Sequence, residues 1–200
     1  CGRVGHHPCT DPNLRGWPMI FHALPPQGLY NISIEKREDA RGFFARTFCA
    51  EEFAQVGIDV TWCQVNSVFN QTKFTLRGLH FQRPPMADAK LVRCVRGVIL
   101  DVVVDIRAGS DTYGHATCVE LSEDNRDMLY VPAGFAHGYQ TLTPDVEMLY
   151  FHSAPYSKPH EGGLAWDDPA LAIPWPFPPT EVSVRDTGHP RLSELEPIAI

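Results

Sequence analysis

Val98-Ile99-Leu100-Asp101-Val102-Val103-Val104-Asp105-Ile106 is almost wholly apolar and mostly β-branched. A run of this kind reads as a strand buried on both faces. Working outward, further short apolar runs occupy residues 30–34, 42–48, 56–65, 90–95, 116–121, 128–131, 138–142 and 146–151, with Gly, Pro, Asn or Asp between them. Several short strands at close spacing predict an all-β sandwich or barrel. Only residues 51–56 and 192–195 read as helical. Residues 1–28, rich in Pro, Gly and His, are expected to form an irregular arm. Residues 29–200 are expected to form one domain, its Pro-rich tail from residue 174 lying over the surface.

The chain has 200 residues, 44% of them hydrophobic, enough to bury a sizeable core. A formal net charge of −7 argues against a nucleic-acid or membrane-surface binder. It leaves room for a local basic pocket that holds a small phosphate ligand. The six cysteines form no C-x-x-C pair, and their spacing suggests neither a zinc site nor a disulfide framework. Cys94 and Cys118, inside apolar runs, read as small buried hydrophobes. No apolar stretch reaches the ~20 residues that span a bilayer, and no signal peptide is visible. A reducing cytoplasm is the expected compartment. The first residue is Cys1, so the natural start is expected upstream.

Candidate chemistry lies in a few places. Arg77-Gly78-Leu79-His80-Phe81-Gln82 sets a histidine beside an arginine at the edge of a strand region. His80 reads either as a satisfied half-buried histidine or as a general base, since imidazole titrates near neutrality. Pro132-Ala133-Gly134-Phe135-Ala136-His137-Gly138 carries a P-x-G-x-x-H pattern that resembles the second motif of the cupin superfamily. In metal cupins that histidine joins an H-x-H pair and a glutamate as a ligand. No H-x-H occurs in this chain, so a three- or four-ligand metal site is poorly supplied. Taken singly, Lys90 at a strand start and Asp186 near the tail read more readily as surface charges, and Tyr150 in an apolar run as a core residue with a bonded hydroxyl.

In combination these segments resemble the dTDP-4-dehydrorhamnose 3,5-epimerase family. The resemblance rests on residues 77–82, 90–97, 101–107 and 130–139, on Trp166-Asp167-Asp168-Pro169, and on Arg41-Gly42-Phe43-Phe44, all in family order. It implies a cupin jelly-roll, a homodimer, and a reaction that needs no metal or organic cofactor. It implies that His80 is the base, Asp186 its partner, Lys90 the residue at the keto oxygen and Tyr150 the opposing proton donor. It places Arg41, Gln64, Asn66, Arg77, His137, Tyr156, Glu161 and Arg185 against a dTDP-linked nucleotide or its diphosphate.

Two positions depart from the family. Arg46 stands where a glutamate is usual, and Gln64-Val65-Asn66 replaces Gln-Asp-Asn. Each removes an acid at the nucleotide end and leaves the nucleotide and the exact sugar open.

The implied chemistry suits these side chains. A 4-keto group acidifies the protons at C3 and C5 of a hexose. Epimerisation at C3, C5 or both needs a base on one face, an acid on the other and an electrophile at the keto oxygen. Arg41 and Arg77 suit a diphosphate, because guanidinium groups grip phosphate bidentately. Tyr156 suits stacking on a nucleobase. The alternatives are a monofunctional 3- or 5-epimerase, a metal cupin, or a non-catalytic sugar-nucleotide binder, which has no use for both an acid and a base.

Overall fold

The computed structural model describes residues 18–200. In chain order its strands are β1 (Met19–Leu24), β2 (Leu29–Ile34), β3 (Arg37–Asp39), β4 (Gly42–Phe44), β5 (Gln64–Asn70), β6 (Thr75–Gln82) and β7 (Lys90–Arg96). They continue as β8 (Val98–Asp105), β9 (Ala116–Ser122), β10 (Met128–Val131), β11 (Phe135–Thr141), β12 (Val146–His152), β13 (Glu161–Gly163) and β14 (Glu181–Val182). Helix α1 (Ala50–Gln55) falls where the sequence predicts one, and a 3-10 turn covers Leu192–Glu194.

Two sheets face each other in the expected jelly-roll sandwich. One has the order β1-β2-β10-β7-β12-β5, the other β13-β6-β11-β8-β9. The alternation of strand side chains explains the layers. On β8, Ile99 and Val103 point between the sheets, while Val102 and Val104 point to the outer face. The expectation of burial on both faces therefore holds. The inner core adds Val92 and Cys94 of β7, Leu129 and Val131 of β10, and Val146 and Met148 of β12. A second apolar cluster covers the outer face of the β8 sheet with Leu164, Leu171, Leu195 and Ile198. A third sits under α1, where Phe53 packs on Leu91 and Met128. Cys94 is buried as expected, and Cys118 is half-buried against the second cluster.

Several expectations need correction. Residues 19–24 form a strand rather than part of an irregular arm, paired with β2 from Met19↔Ile34 to Leu24↔Leu29. Only Met19 of this strand is buried, so backbone pairing holds it and no alternating pattern announced it. Residues 1–17 of the predicted arm lie outside the described residues. The run at 56–65 is mostly loop, with strand only from Gln64. Gly57 at φ +81° turns the chain, and Ile58, Val60 and Trp62 then fill space beside Phe53. Of residues 42–48, only Gly42–Phe44 is strand. The tail is built in more deeply than expected: β14 pairs in parallel with β6, and Ile198 is 1% exposed.

One irregularity decides what faces the interior. Between β6 and β11 the register runs His137↔His80 and then Tyr139↔Arg77. Gly78 and Leu79 on β6 thus oppose Gly138 alone on β11, which is a β-bulge. A regular strand would send Arg77 and His80 to opposite faces. With one extra residue between them, both reach the interior. Gly78 sits at the bulge with φ +125°, and a Cβ there would lie 2.6 Å from the Gly138 Cα. A Cβ on Gly138 would in turn lie 2.6 Å from the Arg77 carbonyl oxygen. The two strands can approach this closely only because both residues are glycine.

Gly78→Ala is therefore expected to destabilise the fold by about 2–4 kcal/mol, from backbone strain plus overpacking. Gly109, at φ +72° with nothing within 4 Å of its would-be Cβ, provides the control. Gly109→Ala should cost about 1 kcal/mol, from strain alone. Urea denaturation of both variants checks this; equal losses would show that the close approach is not limiting.

Candidate functional site

At one end of the sandwich the apolar filling gives way to a cavity of about 310 Å³. The same alternation that builds the core aims polar side chains into it. The β8 sheet contributes Arg77, His80, His137 and Tyr139, and the facing sheet contributes Gln64, Asn66, Lys90, Tyr150 and His152. His80 and Tyr150 thus approach the cavity from opposite walls.

His80 Nε2 lies 2.8 Å from Asp186 Oδ1. Asp186 is 2% exposed, and its Oδ2 accepts from the Gly78 amide at 3.1 Å. It stands behind His80, so it acts on the cavity only through that ring. Burial alone would raise the Asp186 carboxyl, but the His80 hydrogen bond and charge and the Gly78 amide outweigh it and hold it well below the usual carboxylate range. Arg185 Nη2 lies 3.0 Å from the same His80 nitrogen, and its Nη1 donates to Glu161 Oε1 at 3.1 Å. One nitrogen cannot donate to Asp186 and accept from Arg185 at once. The charge-assisted bond to the buried carboxylate assigns the proton to Nε2, which leaves the Nδ1 lone pair to act as a base.

Lys90 is 9% exposed, and its Nζ donates to the His80 carbonyl oxygen at 3.3 Å. Desolvation lowers its pKa, partly offset by the charges of Asp88 and Asp101. Tyr150 is 8% exposed, and among the described residues its hydroxyl has one hydrogen-bond partner, the Met148 sulfur at 3.9 Å. Burial pushes its pKa well above the usual phenol value, so at neutral pH it is a protonated donor with little to hold its proton. His137 lies 2.5 Å from Asp101 Oδ1 and meets the Tyr150 ring edge-on at 5.8 Å. Arg77 Nε donates to Asn70 Oδ1 at 2.8 Å, which fixes the guanidinium at the cavity wall. Tyr156, 65% exposed, and Glu161 sit at the rim.

The sequence-predicted residues therefore converge, with one exception. Arg41 is on the exposed β3–β4 hairpin, paired with Asp39 at 2.6 Å, and does not line the cavity. Local pairing within a two-stranded hairpin holds it there. Val65, one of the two departures, is 56% exposed and points away from the Gln64 and Asn66 wall. Arg46, the other, ion-pairs with Glu52. Sequence reading missed His152, His189, Asp88 and Asp101. His152 stacks on Tyr150 at 5.9 Å and bonds Asp88 at 2.7 Å. Its spacing two residues after Tyr150, on the same strand face, was the available signal.

Among the described residues, His80, Asp186 and His189 offer ligand atoms within 4.8 Å of one another. The Arg185 guanidinium at hydrogen-bond distance from His80 opposes a second cation on that nitrogen. The site fits organic acid–base chemistry better than metal ligation.

The family model described as dTDP-4-dehydrorhamnose 3,5-epimerase matches residues 24–194. A dTDP-4-dehydrorhamnose 3,5-epimerase of Sinorhizobium fredii is 46% identical over 178 residues, covering 88% of this chain and 91% of the relative. One from Salmonella typhimurium is 43% identical over 158 residues, covering 78% and 86%. The structure of a dTDP-6-deoxy-D-glucose-3,5-epimerase from Legionella pneumophila superposes with TM-score 0.86 at 32% identity, covering 91% of this chain and 98% of that one. A 3'-monoepimerase from Streptomyces bikiniensis superposes with TM-score 0.81 at 34% identity, covering 86% and 87%.

The depressed Asp186 pKa has a pH consequence. A carboxyl whose folded pKa is lowered stabilises the fold above its unfolded value near 4 and loses that contribution as pH falls. Asp186→Asn should be less stable than the parent at pH 7, with the gap starting to narrow below about pH 5 and still narrowing at about pH 2, because the folded pKa lies well below the unfolded one. Urea melts across that range check it; a gap independent of pH would contradict it.

Proposed function

The chain belongs to the dTDP-4-dehydrorhamnose 3,5-epimerase family, and on that premise we propose which residues carry its reaction. It is an isomerase of deoxysugar biosynthesis, acting on a dTDP-linked 4-keto-6-deoxyhexose at C3, C5 or both. One observation supports the assignment: a histidine–aspartate pair and a buried neutral phenol face one cavity from opposite sheets.

In this reading Nδ1 of His80 removes the proton from the carbon beside the keto group. The electron pair moves to the keto oxygen as an enolate. Asp186 holds the Nε2–H tautomer and stabilises the imidazolium that forms. Lys90 stabilises the enolate oxygen, a preorganised electrostatic role. Tyr150 returns a proton to the same carbon from the opposite face, which inverts it. Solvent then takes the proton from His80 and restores the one on Tyr150. Arg77, Arg185 and His137 serve the substrate's phosphates or sugar, Gln64, Asn66 and Glu161 contact the nucleotide end, and Tyr156 stacks on the base. No cofactor is required by these steps.

Arg41 reaches a nucleotide only if the β3–β4 hairpin extends into the cavity of a second copy, so the reading includes a homodimer. Phe43 and Phe44 on that hairpin, at 40% and 62% exposure, and Phe69 on the edge strand β5, at 52%, supply apolar surface for it. Phe44→Asp should shift sedimentation from dimer toward monomer; an unchanged profile would remove the hairpin from the interface. A cytoplasmic location, which cell fractionation checks, suits the free thiols of Cys49, Cys63, Cys94 and Cys118.

The catalytic roles are separable in deuterated water with dTDP-4-keto-6-deoxyglucose. His80→Ala should lose deuterium exchange at C3 and C5. Tyr150→Phe keeps the ring and the base, so it should still exchange but form epimer about 10²–10⁴-fold more slowly, the usual range for a general acid. Exchange by NMR and epimer trapped by a downstream reductase give both readouts. More than a tenth of the parental exchange in His80→Ala, or parental epimer formation in Tyr150→Phe, would overturn the respective role.

A further inference from the structure

His189 lines the same cavity and has no place in the steps above. Its ring meets the His80 ring edge-on, with centroids 5.7 Å apart. Its Nε2 is buried with no hydrogen-bond partner, 3.5 Å from Asp186 Oδ1. That is the oxygen on which His80 depends. A buried donor without a partner costs about 1–3 kcal/mol, so its retention calls for a reason. The neighbouring backbone makes room for it. A Cβ on Gly163 would fall 2.2 Å from the His189 ring, and Gly163 pairs directly with His80 across β13 and β6.

The resting partners of Asp186 Oδ1 suggest that reason. Arg185 Nε donates to this oxygen at 3.4 Å from a side chain that is 52% exposed. If Arg185 turns to a bound diphosphate, as its proposed role requires, the oxygen loses that donor. His189 then needs a shift of only about half an ångström to reach an ordinary hydrogen-bond length. We propose that His189 is a positioning residue: with substrate bound, its Nε2–H donates to Asp186 Oδ1 and keeps the carboxylate aligned with His80. Burial, with a smaller contribution from the charge of His80, lowers the pKa of His189 against the opposing pull of Asp186, and the net direction favours the neutral ring that such a donor requires. The inference rests on His80 as base and Arg185 as phosphate contact.

Two substitutions separate donation from packing. His189→Gln places an amide N–H near the Nε2 position, whereas His189→Phe keeps the ring against His80 and removes the donor. His189→Phe should lose about tenfold in kcat with KM within twofold, the scale of a hydrogen bond to a charged group. His189→Gln should recover most of that loss. Gly163→Ala, which displaces the intact imidazole, should show a similar kcat loss and add little when combined with His189→Phe. A parental kcat in His189→Phe, an equal loss in the Gln and Phe variants, or a loss confined to KM would overturn the proposal. His80→Ala measured alongside keeps the two readings apart: if it retains exchange, the base assignment fails whatever His189 does.

Discussion

The contact between Gly78 and Gly138 governs the rest of the site. It lets β6 and β11 approach more closely than any side chain allows and accommodates the bulge that turns both Arg77 and His80 inward. The Gly78 amide also donates to Asp186, so one residue joins the bulge, the proposed base and the C-terminal segment. The tail is then part of the site's construction, since it delivers the carboxylate that orients His80. Its anchoring by β14 and by Ile198 has the same consequence.

The interior divides sharply between apolar filling and paired polar groups. Four buried or half-buried histidines line the cavity, and three have their own aspartate: His80 with Asp186, His137 with Asp101, His152 with Asp88, while His189 lies beside the carboxylate of Asp186 that His80 uses. Burying such groups is costly unless they are paired, and pairing fixes each ring's tautomer and orientation. Tyr150 is the contrast. Its ring touches those of His137 and His152, yet among the described residues its hydroxyl has only the Met148 sulfur as hydrogen-bond partner. The ring is packed while its proton has no strong acceptor among the described residues. Asn70 Nδ2 and Asp101 Oδ2 are buried without a hydrogen-bond partner among the described residues.

What could be read from the chain followed its strongest patterns. The apolar run at Val98 announced a doubly buried strand, and the ordered motifs named the residues that do converge, His80, Lys90, Tyr150 and Asp186 among them. What escaped had weak local signals. The β1 strand is held by backbone pairing with one buried side chain, so its sequence carries no alternation. The run at 56–65 is apolar because it packs beside Phe53, and apolarity alone cannot tell a buried loop from a strand. Arg41 shared a motif with the site but is kept from the cavity by its hairpin. His152 and His189 gained meaning only from partners 64 and 3 residues away, Asp88 and Asp186.

The central claim is that one sugar ring is gripped between the His80 wall and the Tyr150 wall. A crystal structure with a dTDP-linked 4-keto sugar tests it most directly. The account predicts that His80 Nδ1 and the Tyr150 hydroxyl lie on opposite faces of the ring, each about 3–3.5 Å from C3 or C5. Lys90 Nζ should be within hydrogen-bond reach of the keto oxygen. A ring bound with both groups on one face, or with Tyr150 against the nucleotide, would contradict it.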